Sequence, residues 1–320
     1  MLSFLEPQNW EVSVLKERIL FFNEKEEFVK AVASSFNLKA HHILYKKGDK
    51  TIISLIAYVK GNSIVLPLYF VYSTLWISKK ISDSTYSTHV TAFLGELKRR
   101  FKNMSLNLNP AISDVRPFIW SGFKIAPRFT YIKSLNTSSN YPTDVKSSIK
   151  KALDSGVEFI KISYSEELLR KNMLFLSKDK LLSKDKVNNI LKFFNYLKST
   201  GMIEFYVCSL RNNIIASGIV LVDDENKVAY TAFVNKVELN VFGNHSIHTF
   251  LYDGIFKSLS QRGYQIADLL GANVYSISKF KGKLQGDLFT YYNVDYTKLG
   301  GFLNDGLATV KKVLKKLLIR

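Results

Sequence analysis

Residues 264–286 read YQIADLLGANVYSISKFKGKLQG, and the fold turns on how they are parsed. Gln265–Leu270 predicts a strand whose end carries Asp268. Gly271 then breaks the strand and lets the backbone turn sharply and come close to a ligand. A short helix near Ser276–Leu284 follows and bears Phe280 and Lys281. A lysine beside a strand end can neutralise a phosphate or steady the oxyanion that develops during acyl transfer. It can equally be a solvated residue, since Lys279 and Lys283 stand beside it.

Upstream lie three strand candidates, Ile203–Leu210, Ile214–Val222 and Lys227–Val234. They are joined at Arg211-Asn212-Asn213 and at Asp223–Asn226. A helix from about His245 to Gln261 leads to Gly263, and Leu288–Val294 predicts a last strand. A strand, helix, strand crossover after a meander implies a parallel pair inside a mixed sheet. Ligands in such sheets tend to bind at strand ends where the order changes. The loop Glu238–Ser246, ELNVFGNHS, enters a helix N-terminus, where backbone N–H groups can hold phosphate.

The same order of elements occurs earlier in the chain. Asn23 with Glu26 predicts a capped helix to about Phe36. Strands follow at Ile43–Lys46, Ile52–Val59 and Ser63–Tyr72, with turns at Gly48-Asp49 and Gly61-Asn62. A helix from Ser84 to Phe101 carries Val90, Phe93, Leu94 and Leu97 on one face. A strand at Ser105–Leu108, a short helix at Asp114–Trp120 and a strand at Phe129–Leu135 complete the set. The polar run 136–142, NTSSNYP, marks a boundary. A helix capped by Thr143 and ending at Gly156, another capped by Ser165 and a third from about Lys184 to Thr200 precede the second meander. One architecture used twice is the reading, an α/β fold of two tandem domains, residues 1–137 and 138–300.

Residues 301–320 form a third segment. Leu303, Leu307, Val310, Val313, Leu314, Leu317 and Leu318 fall on one helical face, with Lys311, Lys312, Lys315, Lys316 and Arg320 on the other. Such a helix docks on its own protein or lies on an anionic membrane.

The chain has 45 basic and 27 acidic residues, a balance of +18, which suits a polyanionic partner such as RNA, a nucleotide-linked substrate or an anionic membrane. Its single cysteine, Cys208, reads as a buried strand residue and favours a cytoplasmic location. No signal peptide is evident, and Ser63–Ile77 is too short to span a bilayer. No dinucleotide, Walker, nucleophile-elbow or kinase motif occurs, and no metal-site spacing of His or Cys. Tyr230, Tyr275, Tyr291 and Tyr292 fall near strand ends, where they can stack on a base or sugar, donate to a carbonyl, or pack in the core or its rim.

The run Phe205–Tyr292 resembles the Fem-type aminoacyltransferases and related acyltransferases of the GNAT superfamily. The matching features are Tyr230-Thr231-Ala232-Phe233, the loop with Gly243, the helix to Gln261, the strand end Ala267–Ala272, and Phe280-Lys281. Gly122–Leu135 is similar to the end of the family's first domain. The resemblance implies twin GNAT-like domains, each a mixed sheet flanked by helices, with a cleft between them and a C-terminal helix packing back on the first. It implies transfer of an acyl or aminoacyl group from acyl-CoA or aminoacyl-tRNA, with no tightly bound cofactor. The acceptor would be an amine of a cell-wall precursor or sugar nucleotide. Phe280 and Lys281 would line the transfer site, Lys281 as electrostatic stabiliser. Asp268, Gly271 and Asn273 would shape the strand end, with Tyr275 and Tyr230 beside the substrate. Gly243, Asn244 and His245 would hold the donor. The family's acyl-CoA loop matches here only at Gly243. The rival reading is a non-catalytic basic module that grips RNA or an anionic glycan.

Overall fold

The computed structural model describes residues 1–67, 72–137, 140–178, 183–236 and 246–298. The chain divides into two compact units. The first comprises Met1–Leu20, Asn37–Arg128 and the described chain from Tyr291 on; the second comprises Phe21–Phe36 and Phe129–Thr290. Each is a mixed α/β unit; among the described residues the first holds seven strands and the second six.

The first unit orders its strands β1 (Leu2–Leu5), β2 (Lys39–Lys47), β3 (Lys50–Lys60), β4 (Ser63–Ile64), β6 (Asn103–Asn107) and β13 (Asp287–Thr297), with β5 (Trp76–Ile77) pairing on β3. β4 and β6 run parallel and the other pairs antiparallel. Helix α3 (Asp83–Arg100) starts at Ser82, whose hydroxyl accepts from Thr85 N, and ends in Lys98, Arg99 and Arg100, where cations suit the helix dipole. Its expected stripe of Val90, Phe93, Leu94 and Leu97 is buried in the core with Ile53, Leu55 and Phe118. Helix α4 (Arg116–Trp120) precedes β7 (Lys124–Ser134).

The second unit orders its strands β8 (Glu158–Ile162), β9 (Ile203–Leu210), β10 (Asn213–Asp223), β11 (Val228–Lys236), β12 (Ile266–Asp268) and β7. β11 and β12 are the parallel pair. Adjacent β10 residues show how helices cover both faces. Gly218 lies under Leu251 and Ile255 of α8 (Ser246–Gln261), and a Cβ there would come within 2.8 Å of Ile255. Ser217 bonds to Asn172 of α6 (Glu166–Lys178). Successive residues of a strand point to opposite faces, so α8 and α6 lie on opposite sides of the sheet. Helix α5 (Thr143–Asp154) packs beside α8; α2 (Glu26–Phe36) packs on α7 (Lys184–Leu197) through Phe28 and Phe193.

The structure corrects several expectations. Among the described residues the strand expected over Ser63–Tyr72 is formed only at Ser63–Ile64, with Val65 N still donating to Tyr58 O; Pro67 has no N–H to offer, and Tyr72 packs on the Tyr291 ring. Residues 68–71 fall outside the description. The carboxylate that reaches back near Asn23 is Glu24, which accepts from Phe21 N within a single 3-10 turn, Phe22–Glu24; α2 then opens at Glu26. Thr143 is the first residue of α5, and Pro142 stands at its cap. β1, α1 (Pro7–Leu15) and β8 lack a strong periodic signal and were not expected. The segment 301–320 lies outside the described residues.

Candidate functional site

The second unit has an interruption in its sheet. β11 pairs with β10 as far as Lys236 but with β12 only as far as Tyr230, opposite Asp268. Beyond that point the chain after β12 turns away, and among the described residues no strand pairs with this edge of β11, a notch in the pairing of the sheet. On its other edge β11 bulges: Thr231 and Phe233 pair with the adjacent residues Val220 and Ile219, so Ala232 is the extra residue. A bulge takes a peptide out of the ladder and twists the strand.

The turn away from β12 is built from two consecutive left-handed residues, Leu270 (φ 53) and Gly271 (φ 54). Glycine adopts this conformation freely; leucine does so at a cost. The cost at Leu270 is offset by hydrogen bonds. Its N–H donates to Asp268 Oδ1 (2.9 Å), which also accepts from Thr130 Oγ1 at 2.5 Å. Its carbonyl accepts from the Lys281 ammonium. That ammonium also donates to Leu269 O (2.5 Å), and Thr231 Oγ1 donates to the same carbonyl (3.0 Å).

Lys281 sits on α9 (Tyr275–Gly282) and is only 9% exposed. Burial pulls its pKa down to about 8, against the opposing pull of Asp268. Two of its three N–H groups serve the turn. The third makes no hydrogen bond among the described residues. A cation at a strand end with one donor in hand can bind a developing oxyanion or a phosphate oxygen.

The residues singled out in the sequence have distinct fates. Asp268, Gly271 and Lys281 come together: a Cβ on Gly271 would lie 3.8 Å from the Lys281 Nζ. Phe280 points the other way, packing on His248 and Tyr252 of α8. Asn273 fastens the loop to β7, accepting from Phe129 N (2.9 Å). Tyr230 lies against the Phe22 ring, and burial pushes its phenol well above the usual range. Tyr275 is 82% exposed at the head of α9. Gly243, Asn244 and His245 lie outside the described residues. Cys208 is fully buried, which raises its thiol to about 12.

Sequence reading missed Thr130, Thr231 and the bulge at Ala232. Thr231 is legible afterwards as a hydroxyl inside an apolar strand. It also missed Asn172, which holds the far end of β11. Its Nδ2 donates to Ser217 Oγ (2.8 Å) and Ser217 O (3.0 Å), and its Oδ1 accepts from Asn235 Nδ2 (2.6 Å). Replacing Asn172 with leucine strands those buried partners, and should cost about 1–3 kcal/mol. Urea unfolding would measure that loss, and hydrogen exchange should quicken at residues 231–236 before it does in β9.

Comparison with solved structures follows from this geometry. FemX superposes with a TM-score of 0.62 at 11% identity, over 91% of this chain and 96% of that one. The fold is Fem-like. A tandem GNAT protein from the clavulanic acid biosynthesis pathway matches with a TM-score of 0.57 at 9% identity, over 92% and 98% of the two chains. L-PGS from Bacillus licheniformis matches at 0.51 and 11% identity, over 92% of each chain. No protein-family model and no curated protein matches the sequence. At these identities the Fem-like likeness speaks for the fold, on which sites and substrates can differ.

Proposed function

We propose that this chain is an N-acyltransferase whose reaction takes place at the notch beside β11. The observation that carries the reading is the buried Lys281 ammonium at the end of the parallel pair, next to the bulged strand. An acyl group laid along the open edge of β11 would present its carbonyl carbon to an incoming amine. The nitrogen attacks that carbon. The tetrahedral oxygen gains negative charge near Lys281, and the bond to the thiol or ribose oxygen of the donor breaks. The departing group takes up a proton and the amine gives one to solvent. Holding donor and acceptor together supplies much of the rate.

The donor in this reading is acyl-CoA or aminoacyl-tRNA, and the acceptor an amine on a nucleotide-linked cell-envelope precursor. The balance of +18 supports an anionic substrate on either side. We place the reaction in the cytoplasm, where a single buried cysteine is at ease. No helix among the described residues is long and apolar enough to cross a membrane.

The test is calorimetric titration with acetyl-CoA and with aminoacyl-tRNA, followed by mass spectrometry of amino-sugar nucleotides incubated with whichever binds. Binding of one donor and an acylated amine are the expected results. If neither donor binds, the transferase reading fails. Salt-sensitive RNA binding without transfer would point to the basic binding module instead.

A further inference from the structure

We infer that the groove between α6 and α7 in the second unit is a binding site for a neutral oligosaccharide. The groove has a volume of about 380 Å³, at the small end of the range for ligand sites. Arg170 lines it from α6, held by two hydrogen bonds to Glu166 Oε1, at 3.0 and 2.7 Å. Asn188, Asn189, Lys192 and Asn195 line it from α7. Their spacing places them along one side of that helix, while Ile190, Phe193, Phe194 and Leu197 are buried on the other.

Among the described residues these carboxamides serve no other group. Asn188 and Asn189 are half-buried, yet neither they nor Asn195 make a side-chain hydrogen bond, and Lys192 has no ion pair, among the described residues. Beside the lining, the buried Tyr164 hydroxyl has no hydrogen-bond partner among the described residues, and it feels the charges of Glu166 and Arg170. Each carboxamide offers two donors and an acceptor side by side. Adjacent sugar hydroxyls, each both donor and acceptor, complement that arrangement.

Charge decides against an anion. Glu166 and Asp185 balance Arg170 and Lys192 in the lining, on a chain that carries +18 overall. Polyanions would be drawn to other surfaces. An extended peptide is a poorer fit. It would want a strand edge or apolar side-chain pockets, and among the described residues Leu191 is the one apolar member of the lining.

The site is independent of the chemistry proposed for Lys281, and the test keeps them apart. The isotopically labelled full chain is titrated with maltotriose, cellotriose and triacetylchitotriose, all neutral, while the side-chain amides of Asn188, Asn189 and Asn195 are followed by NMR. At least one trisaccharide should shift them, with a Kd on the order of 1 mM or tighter. The Asn188→Leu/Asn189→Leu variant, and the more conservative Asn195→Ala, should weaken that response by about tenfold, while Lys281→Met leaves it unchanged. No shift at these amides with any of the three sugars overturns the proposal. So does undiminished binding in the folded Asn variants, or a stronger response at the same amides to a sulfated oligosaccharide.

Discussion

Lys281→Met is expected to lower the rate of acyl transfer by at least about tenfold, and by as much as a hundredfold if its third N–H binds the oxyanion directly. Methionine fills similar space without a charge, so the helix should keep its place. The pH profile separates this role from packing. With a pKa near 8, the ammonium is lost on the alkaline side, and activity that depends on it should fall there. Lys281→Arg should move that limb upward, and Lys281→Met should abolish it. Stability behaves oppositely. The folded value of about 8 lies below the ordinary 10.5, so between them the unfolded chain holds a proton that the folded chain has released. Unfolding free energy therefore rises with pH across that window in the wild type, and the rise is absent in Lys281→Met. A flat alkaline activity profile in the wild type would remove the ammonium from the reaction.

Arg262→Met should cost about 2–4 kcal/mol of stability, the scale for breaking a buried ion pair from one side. Glu204 is 8% exposed. Both its oxygens accept from Arg262, while Lys161 donates to Oε1 (2.8 Å) and Tyr206 to Oε2 (2.5 Å). Burial alone would push this carboxyl up, but the hydrogen bonds from Arg262, Lys161 and Tyr206 prevail and hold it below the usual range. The network thus stabilises above the ordinary carboxylate range and weakens as acid protonates Glu204. Adding Glu204→Gln to Arg262→Met should recover part of the loss, because the carboxylate, left with Lys161 as its one cationic partner among the described residues, is then no longer buried. Urea midpoints of the two single variants and the double variant measure the coupling. Simple additivity would mean that the pair does not act as a unit.

What the sequence disclosed was governed by periodicity and turn chemistry. The stripe on α3 and the meander β9–β11 were readable because alternation, helical spacing and turns such as Arg211-Asn212 are local signals. Arg211 and Asn212 do adopt positive φ, 50° and 65°. The strand end at Asp268, the break at Gly271 and a lysine near them were readable from the local pattern, and the Fem-type resemblance added only their proposed roles. The Lys281 contacts were not, because nothing in a sequence says that an ammonium will fold back onto the carbonyls of Leu269 and Leu270. Thr130 and Asn172 escaped for a related reason. Their partners Asp268 and Asn235 are 138 and 63 residues away, beyond any local pattern. β8 escaped because Glu158–Ile162 is a short edge strand with charged residues, as edges often are.

The placement of the closing strands bears on how the chain acquires its structure. β6 receives its outer neighbour from residues near 293–297, and β12 receives its own from 132–134. A nascent chain emerging from the ribosome would therefore hold the first unit with β6 unmatched until almost all the rest had been made. Partly synthesised forms would present a bare strand margin to their surroundings, and such margins invite mispairing. A C-terminal fragment beginning after residue 138 would leave β12 bare in the same way, having lost β7.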